Sequence, residues 1–209
     1  MDGAKDLRFR MLTKGPTGTN MRIILVRHGQ PHIALSPRTN HRGFGDYIGA
    51  YEAAGLDPAS LPPQELAELG RELASVFASD RPRSHQSART LAPQAALAVD
   101  PLFAEAPLAS PPIPFLKMTV AGWAVVSRLL WHMGFSPRIE GWFGAMRRAE
   151  RAADILTARA RQDGAVALVA HGYFNWMIGL ALKKRGFVKR GSHRARYWNT
   201  VIYERSSKD

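Results

Sequence analysis

Met21-Arg-Ile-Ile-Leu-Val-Arg-His-Gly29 decides the reading of this chain. Arg22 to Val26 is a short apolar run rich in β-branched residues, the pattern of a strand buried on both faces of a parallel sheet. Arg27 and His28 then fall at its carboxyl end, the edge where open α/β sheets bind ligands. Gly29 allows a sharp turn or a close approach to a ligand. Arg offers a planar fork of donors to phosphate, and a neutral imidazole can attack phosphorus or relay a proton. The same tripeptide could also be an Arg-His pair in a solvated loop.

The pattern recurs along the chain. Ser75-Val-Phe-Ala-Ser79 reads as a second buried strand that runs into Asp80-Arg-Pro-Arg-Ser-His85, placing Arg81, Arg83 and His85 near a helix N-terminus, where free N–H groups favour an anion. Leu97 to Val99 is a third short strand, followed by Leu102-Phe-Ala-Glu105 before a proline-rich turn. Ala165 to Ala170 is another continuous apolar strand, and it ends in His171-Gly172. Asn199 to Tyr203 reads as a last strand. Helical spacing is found over Gln64 to Glu72, Thr119 to Gly134, Glu140 to Gln162 and Tyr173 to Leu182.

This alternation predicts an α/β fold. The expectation is a single-domain, three-layer α/β/α arrangement with a largely parallel central sheet and a helical or loop cap over the strand carboxyl ends. The domain is expected over residues 21–209. Residues 1–20 lack the apolar core of a signal peptide and are expected to form a flexible tail. Gln30 to Pro63, punctuated by Gly and Pro, is expected to be a long irregular segment lying over the site. Gln30, Arg38, His41, Arg42 and Tyr173 are possible substrate contacts.

Composition narrows the function classes. The chain has no cysteine, which excludes disulfides, thiolate metal sites and a Cys nucleophile, and suits a cytoplasmic location. The most apolar stretch, Val120 to Phe135, is too short to span a bilayer. The formal charge of +12 favours anionic partners in general, and its densest run, Lys183 to Arg196, is expected to be a solvated basic face. That run contains no interleaved aromatic platform and no nucleic-acid-reading motif, so no specific nucleic-acid partner is expected.

Taken together, four segments resemble the histidine phosphatase superfamily, in its phosphoglycerate mutase-like branch. Arg27-His28-Gly29 matches the opening Arg-His-Gly of that family. Ser79-Asp-Arg-Pro-Arg83-Ser-His-Gln86-Ser-Ala88 follows its second signature, with Ser84 and Ser87 in place of Ala and Thr. Leu102-Phe-Ala-Glu105 echoes its Leu-x-Glu with one residue more. Val169-Ala-His171-Gly172 matches its late His-Gly, and Asn199 its Asn before the final strand.

The resemblance implies that His28 is a nucleophile that becomes a phosphohistidine. It implies that Arg27, Arg83 and His171 clamp the phosphoryl oxygens, and that Glu105 is the general acid. A small phosphorylated substrate would be the partner, with no metal and no other cofactor. Mutases of the family use further basic residues in a lid, and no such residues can be placed here, so hydrolysis is favoured over phosphoglycerate mutase-type transfer. A phosphate-binding module without catalysis is the reading from another class; the presence of both histidines speaks against it. Phe44, Tyr47, Tyr51, Trp123, Trp131, Trp142, Tyr173, Phe174 and Trp176 supply aromatic surface in these segments, which suggests a bulky or partly apolar substrate.

Overall fold

The structure, a computed structural model, describes residues 20–34 and 38–206. The tail expected over residues 1–20 lies outside the described residues except for Asn20, which opens the first strand. Six strands form one sheet: β1 (Asn20–Arg27), β2 (Ser75–Ala78), β3 (Ala96–Val99), β4 (Ala165–Ala170), β5 (Val188–Arg190) and β6 (Thr200–Ser206). Their order across the sheet is β3-β2-β4-β1-β6-β5. β1, β2, β3 and β4 run parallel, while β6 pairs antiparallel with both β1 and β5.

The apolar run in β1 is buried on both faces, as its composition predicts: Ile23, Ile24, Leu25 and Val26 are all inaccessible to solvent. Side chains alternate across a strand, so the two faces take alternate residues. Ile23 and Leu25 join Val166, Leu168 and Val201 under α5 (Trp142–Asp163) and α6 (Gly172–Lys184). Ile24 and Val26 join Ala167, Val169 and Ile202 under α2 (Gln64–Arg71) and α3 (Pro82–Leu91). Helices on both faces of a mostly parallel sheet complete the three-layer α/β/α architecture. Because the parallel strands share a direction, their carboxyl ends all reach one edge.

Over that edge stand two further helices, α1 (His41–Ala53) and α4 (Val120–His132). Phe44 of α1 stacks on Trp123 of α4 with ring centroids 5.9 Å apart, and the Trp123 indole donates to the Thr39 carbonyl at 2.8 Å. α1 corrects the expectation of an irregular Gln30–Pro63. Three glycines, Gly43, Gly45 and Gly49, give this stretch the look of a loop, but Phe44, Ile48 and Tyr51 keep helical spacing and Asn40 caps the N-terminus by accepting from Gly43 N at 3.1 Å. Residues 35–37 of that segment, Pro37 among them, are outside the described residues. A second difference is β5, a three-residue strand inside the basic run Lys183–Arg196. All three of its residues are exposed, so no apolar alternation marks it; lysine and arginine on an edge strand discourage pairing with another chain.

Among the described residues no helix is long and apolar enough to cross a membrane.

Candidate functional site

Pairing of β1 with β4 sets Val26 beside Val169 and Arg27 beside Ala170, so the residues that follow, His28 and His171, meet at the sheet edge. Their rings lie 5.1 Å apart, edge to face, and both are buried. β2 ends next to β4, with Ala78 beside Val169, and leads through Ser79 into α3. From the first turn of α3, Arg83 points back into the same space. Its side chain is fully buried, and its Nε donates to His28 Nε2 at 3.3 Å. Of the two arginines flanking Pro82, Arg83 is the one that reaches the histidines. Arg81 sits on the outside, half-exposed and paired with Glu52 at 2.6 Å.

The hydrogen bonds define which nitrogen of each ring is free. His28 Nδ1 lies 2.7 Å from the Gly29 carbonyl, which can only accept, so Nδ1 carries the proton and Nε2 keeps its lone pair. Burial, seconded by the Arg83 charge, pulls the His28 pKa down from 6.5 to about 3. The ring is therefore neutral across the physiological range. His171 is held well below its ordinary value, first by burial and then by His28 and Arg83. Its Nδ1 faces an Arg83 N–H at 3.5 Å, which leaves the proton on Nε2 to be donated to Ser79 Oγ at 2.9 Å.

Neutral burial of His28 and His171 makes stability depend on pH in a definite direction. A histidine whose folded pKa is depressed contributes stability that is whole above pH 6.5 and is lost as pH falls toward the folded value. For His28 alone the slope between 6.5 and about 3 is up to about 1.4 kcal/mol per pH unit. Denaturant midpoints measured from pH 7 to 4 are expected to fall steadily. A flat profile would contradict the burial of two neutral rings.

Arg27 enters from the end of β1. Its guanidinium lies over the Tyr197 ring at 4.9 Å, and its buried Nε has no hydrogen-bond partner. A buried cationic donor left unmatched is costly unless an anion completes it. Gly172 makes room for it: a Cβ there would stand 3.3 Å from Arg27 Cδ. Gly29 is confined more severely, since a Cβ would stand 2.5 Å from Leu56 and 2.7 Å from Trp198, and its N–H is held by Ser87 Oγ at 2.9 Å. The Arg-His-Gly turn is thus locked by α3 and by the residues before β6.

Glu105 arrives on the connection after β3. Asp100 caps a short 3-10 turn, Pro101–Phe103, and the chain beyond it carries the carboxylate to the start of α6. Glu105 accepts from Phe174 N at 2.8 Å and Tyr173 N at 3.3 Å, three and two residues after His171, and from Ala106 N at 2.9 Å. Burial pushes its pKa up, against the opposing pull of Arg128 and of these three N–H groups. Arg148 on α5 holds the segment in place through the Leu102 and Ala104 carbonyls, while Glu140 accepts from the same guanidinium at 2.7 Å.

Other sequence-predicted residues are not gathered at this point. His41 and Arg42 open α1, whereas the end of α1 that touches Arg83 lies about 15 Å away along the axis. Arg38 and Gln30 are exposed, and Gln30 donates its backbone N–H to Ser60 Oγ at 2.8 Å. Tyr173 gives its backbone to Glu105 and its hydroxyl to His132, 2.6 Å away. Asn199 is buried and structural: its carbonyl accepts from Arg27 N and its amide donates to Ser192 O. Phe44, Trp123, Trp131 and Phe174 are core, while Tyr47, Tyr51, Trp142, Tyr173 and Trp176 keep partial exposure.

Three residues at the site have no motif to announce them. Tyr51 and Glu52, at the end of α1, meet the Arg83 guanidinium, and Tyr197 lies in the basic loop before β6 with its ring 6.0 Å from that of His28. For Tyr51 and Glu52 the available signal was the helical spacing that would have placed them at a helix end.

A family model, the histidine phosphatase superfamily (branch 1), matches residues 23–204. Solved structures share the fold at low identity. A mycobacterial glucosyl-3-phosphoglycerate phosphatase is 21% identical, with a TM-score of 0.53 over 79% of this chain and 80% of that one. A phosphoserine phosphatase from Entamoeba histolytica, solved with 3-phosphoglyceric acid, is 12% identical, with a TM-score of 0.52 over 87% and 89%. A phosphoglycerate mutase from Bacillus anthracis is 14% identical, with a TM-score of 0.56 over 90% and 88%. No curated protein sequence matches the chain.

Proposed function

We propose that this chain, which belongs to the histidine phosphatase superfamily (branch 1), is a metal-independent phosphomonoester phosphatase working through a phosphohistidine. The observation that carries the proposal is the neutral, buried His28 with Nδ1 anchored and Nε2 facing Arg83 and His171. A nucleophile must be unprotonated at the attacking atom, and this geometry keeps it so near neutral pH.

His28 Nε2 attacks phosphorus in line, and the bond from phosphorus to the ester oxygen breaks. Glu105, whose carboxyl burial pushes toward the protonated form, gives its proton to the departing oxygen. Arg27 and Arg83 surround the equatorial oxygens with donors and hold their charge, and His171 joins them when the charge of the entering phosphoryl group puts a proton on its Nδ1, the ring nitrogen beside Arg83. Water then loses a proton to the Glu105 carboxylate and attacks phosphorus, the N–P bond breaks, and inorganic phosphate leaves with His28 neutral again. In this reading the cationic side chains supply the charge that a metal provides elsewhere. A small phosphorylated molecule in the cytoplasm is the substrate in this reading.

The test is phosphate release from an aryl phosphate in the presence of a chelator. Turnover that survives chelation is the expected result. Phosphate binding with no release from any of a panel of phosphomonoesters would leave a binding module instead. Transfer of the phosphoryl group to a sugar acid in preference to water would indicate a mutase.

A further inference from the structure

All of the donors of Arg83 are spoken for, and they divide into two sets. Nε and one N–H of Nη2 face the pocket, 3.3 Å from His28 Nε2 and 3.5 Å from His171 Nδ1. The opposite edge is gripped by the end of α1. Nη1 donates to the Tyr51 carbonyl at 2.5 Å and the Glu52 carbonyl at 3.3 Å, and Nη2 donates to Glu52 Oε1 at 3.1 Å. The Tyr51 ring covers the guanidinium at 4.3 Å. Glu52 Oε2 meanwhile takes the Arg81 guanidinium at 2.6 Å.

We propose that Glu52 is the positioning residue for Arg83, holding the outer edge of its guanidinium so that the inner edge presents two parallel donors to a phosphoryl group. The assignment builds on the phosphate site described above. The two contacts to the histidines are long, so phosphate oxygens can replace them. Those to the Tyr51 carbonyl and the Glu52 carboxylate are shorter, and they remain when an anion enters. The end of a helix carries partial negative charge on its free carbonyls, and a carboxylate added there makes a strong seat for a cation. Without it, Arg81 and Arg83 would lose the carboxylate they share, and Arg83, held on that edge by Nη1 alone, would lose part of the single orientation on which bidentate recognition depends. The seat also links cap to site: α1 reaches the chemistry through Glu52 and Tyr51.

The experiment compares the parent protein with Glu52→Gln, Glu52→Ala, Arg83→Ala and the double variant Arg83→Ala/Glu52→Ala. Readouts are inhibition by inorganic vanadate, binding of inorganic phosphate by calorimetry, kcat and KM on an aryl phosphate, and the melting transition. Glu52→Ala is expected to lose about ten-fold or more in vanadate affinity and in kcat/KM, since small misplacement of a clamp is costly. Glu52→Gln keeps an acceptor for Nη2 and is expected to fall between. In the Arg83→Ala background, removal of Glu52 is expected to change neither quantity, because a residue acting through Arg83 has nothing left to act on.

Vanadate binding as tight or tighter in Glu52→Ala would overturn the proposal, tighter binding marking Glu52 as an occupant of the anion's place. Independent losses in the double variant would overturn it as well. If the parent turns over substrate and Glu52→Ala equals it, only the role of Glu52 fails. If the parent binds neither phosphate nor vanadate, the phosphate site itself fails, and Glu52's role with it.

Discussion

Replacing His28 with alanine is expected to lower phosphate release by about four orders of magnitude or more, on the scale of a removed nucleophile. His171 keeps one unprotonated nitrogen, Nδ1, but it meets Arg83 at Nη2 where His28 meets it at Nε, so it does not stand in the place of the lost nucleophile. The fold is expected to survive, since the ring's two hydrogen bonds run to its own neighbour's carbonyl and to an arginine that α1 also holds, and the ring is costly to protonate. Rapid quenching of the parent with labelled substrate should trap an acid-labile, alkali-stable phosphoenzyme that the variant does not form. A variant retaining a tenth of parental turnover would mean that water, and not His28, attacks phosphorus.

Glu105→Gln is expected to cost about 10²- to 10⁴-fold, the usual worth of a positioned general acid, and the cost should depend on the leaving group. Glutamine can still accept from Phe174 N and Ala106 N, so the loop keeps its place while the transferable proton is gone. A nitrophenolate departs without help, so turnover of its ester should fall little. Alkyl phosphates need the proton and should fall most. The sign of the pH effect follows from the raised pKa. An acid is competent when protonated, so parental kcat/KM for alkyl phosphates should be high at low pH and decline as pH rises through the elevated Glu105 value. That alkaline limb should vanish in Glu105→Gln. Equal losses for all leaving groups with an unchanged profile would place the acid elsewhere.

The parts of the site that lie at strand ends were legible before the structure, and for a physical reason. β1 and β4 are buried on both faces, so their composition is nearly all apolar, and a charged or titratable residue at the end of such a run stands out. Parallel topology then carries each of these ends to one edge. Glu105 was legible as a residue type, but its reach depends on the 3-10 turn and on the N-terminus of α6, which spacing alone does not show. Tyr51 was legible only as one aromatic among several, and Glu52 and Tyr197 were not legible. Glu52 is one carboxylate on the surface of a glycine-containing helix, like any solvated residue until α1 is docked on α3 through Arg81 and Arg83. Tyr197 belongs to a run dominated by arginine, where one aromatic ring carries no periodic signal. The helix within Gln30–Pro63 is masked in the sequence by its glycines, which obscure the Asn40 cap and the spacing of Phe44, Ile48 and Tyr51.

The strand order has a consequence for how the protein is made. β1, the strand that bears Arg27 and His28, takes its neighbours from β4 and β6, both encoded late in the chain. On the ribosome, the sticky segment Ile23–Val26 must therefore wait for roughly 140 further residues before a partner emerges, about 7 to 30 s at ordinary elongation rates. Throughout that interval its unpaired backbone and bare apolar side chains are open to the wrong partners. Holding factors that bind nascent chains should thus find a target at β1, and the phosphate pocket comes into being only once β4 has followed it out of the ribosome.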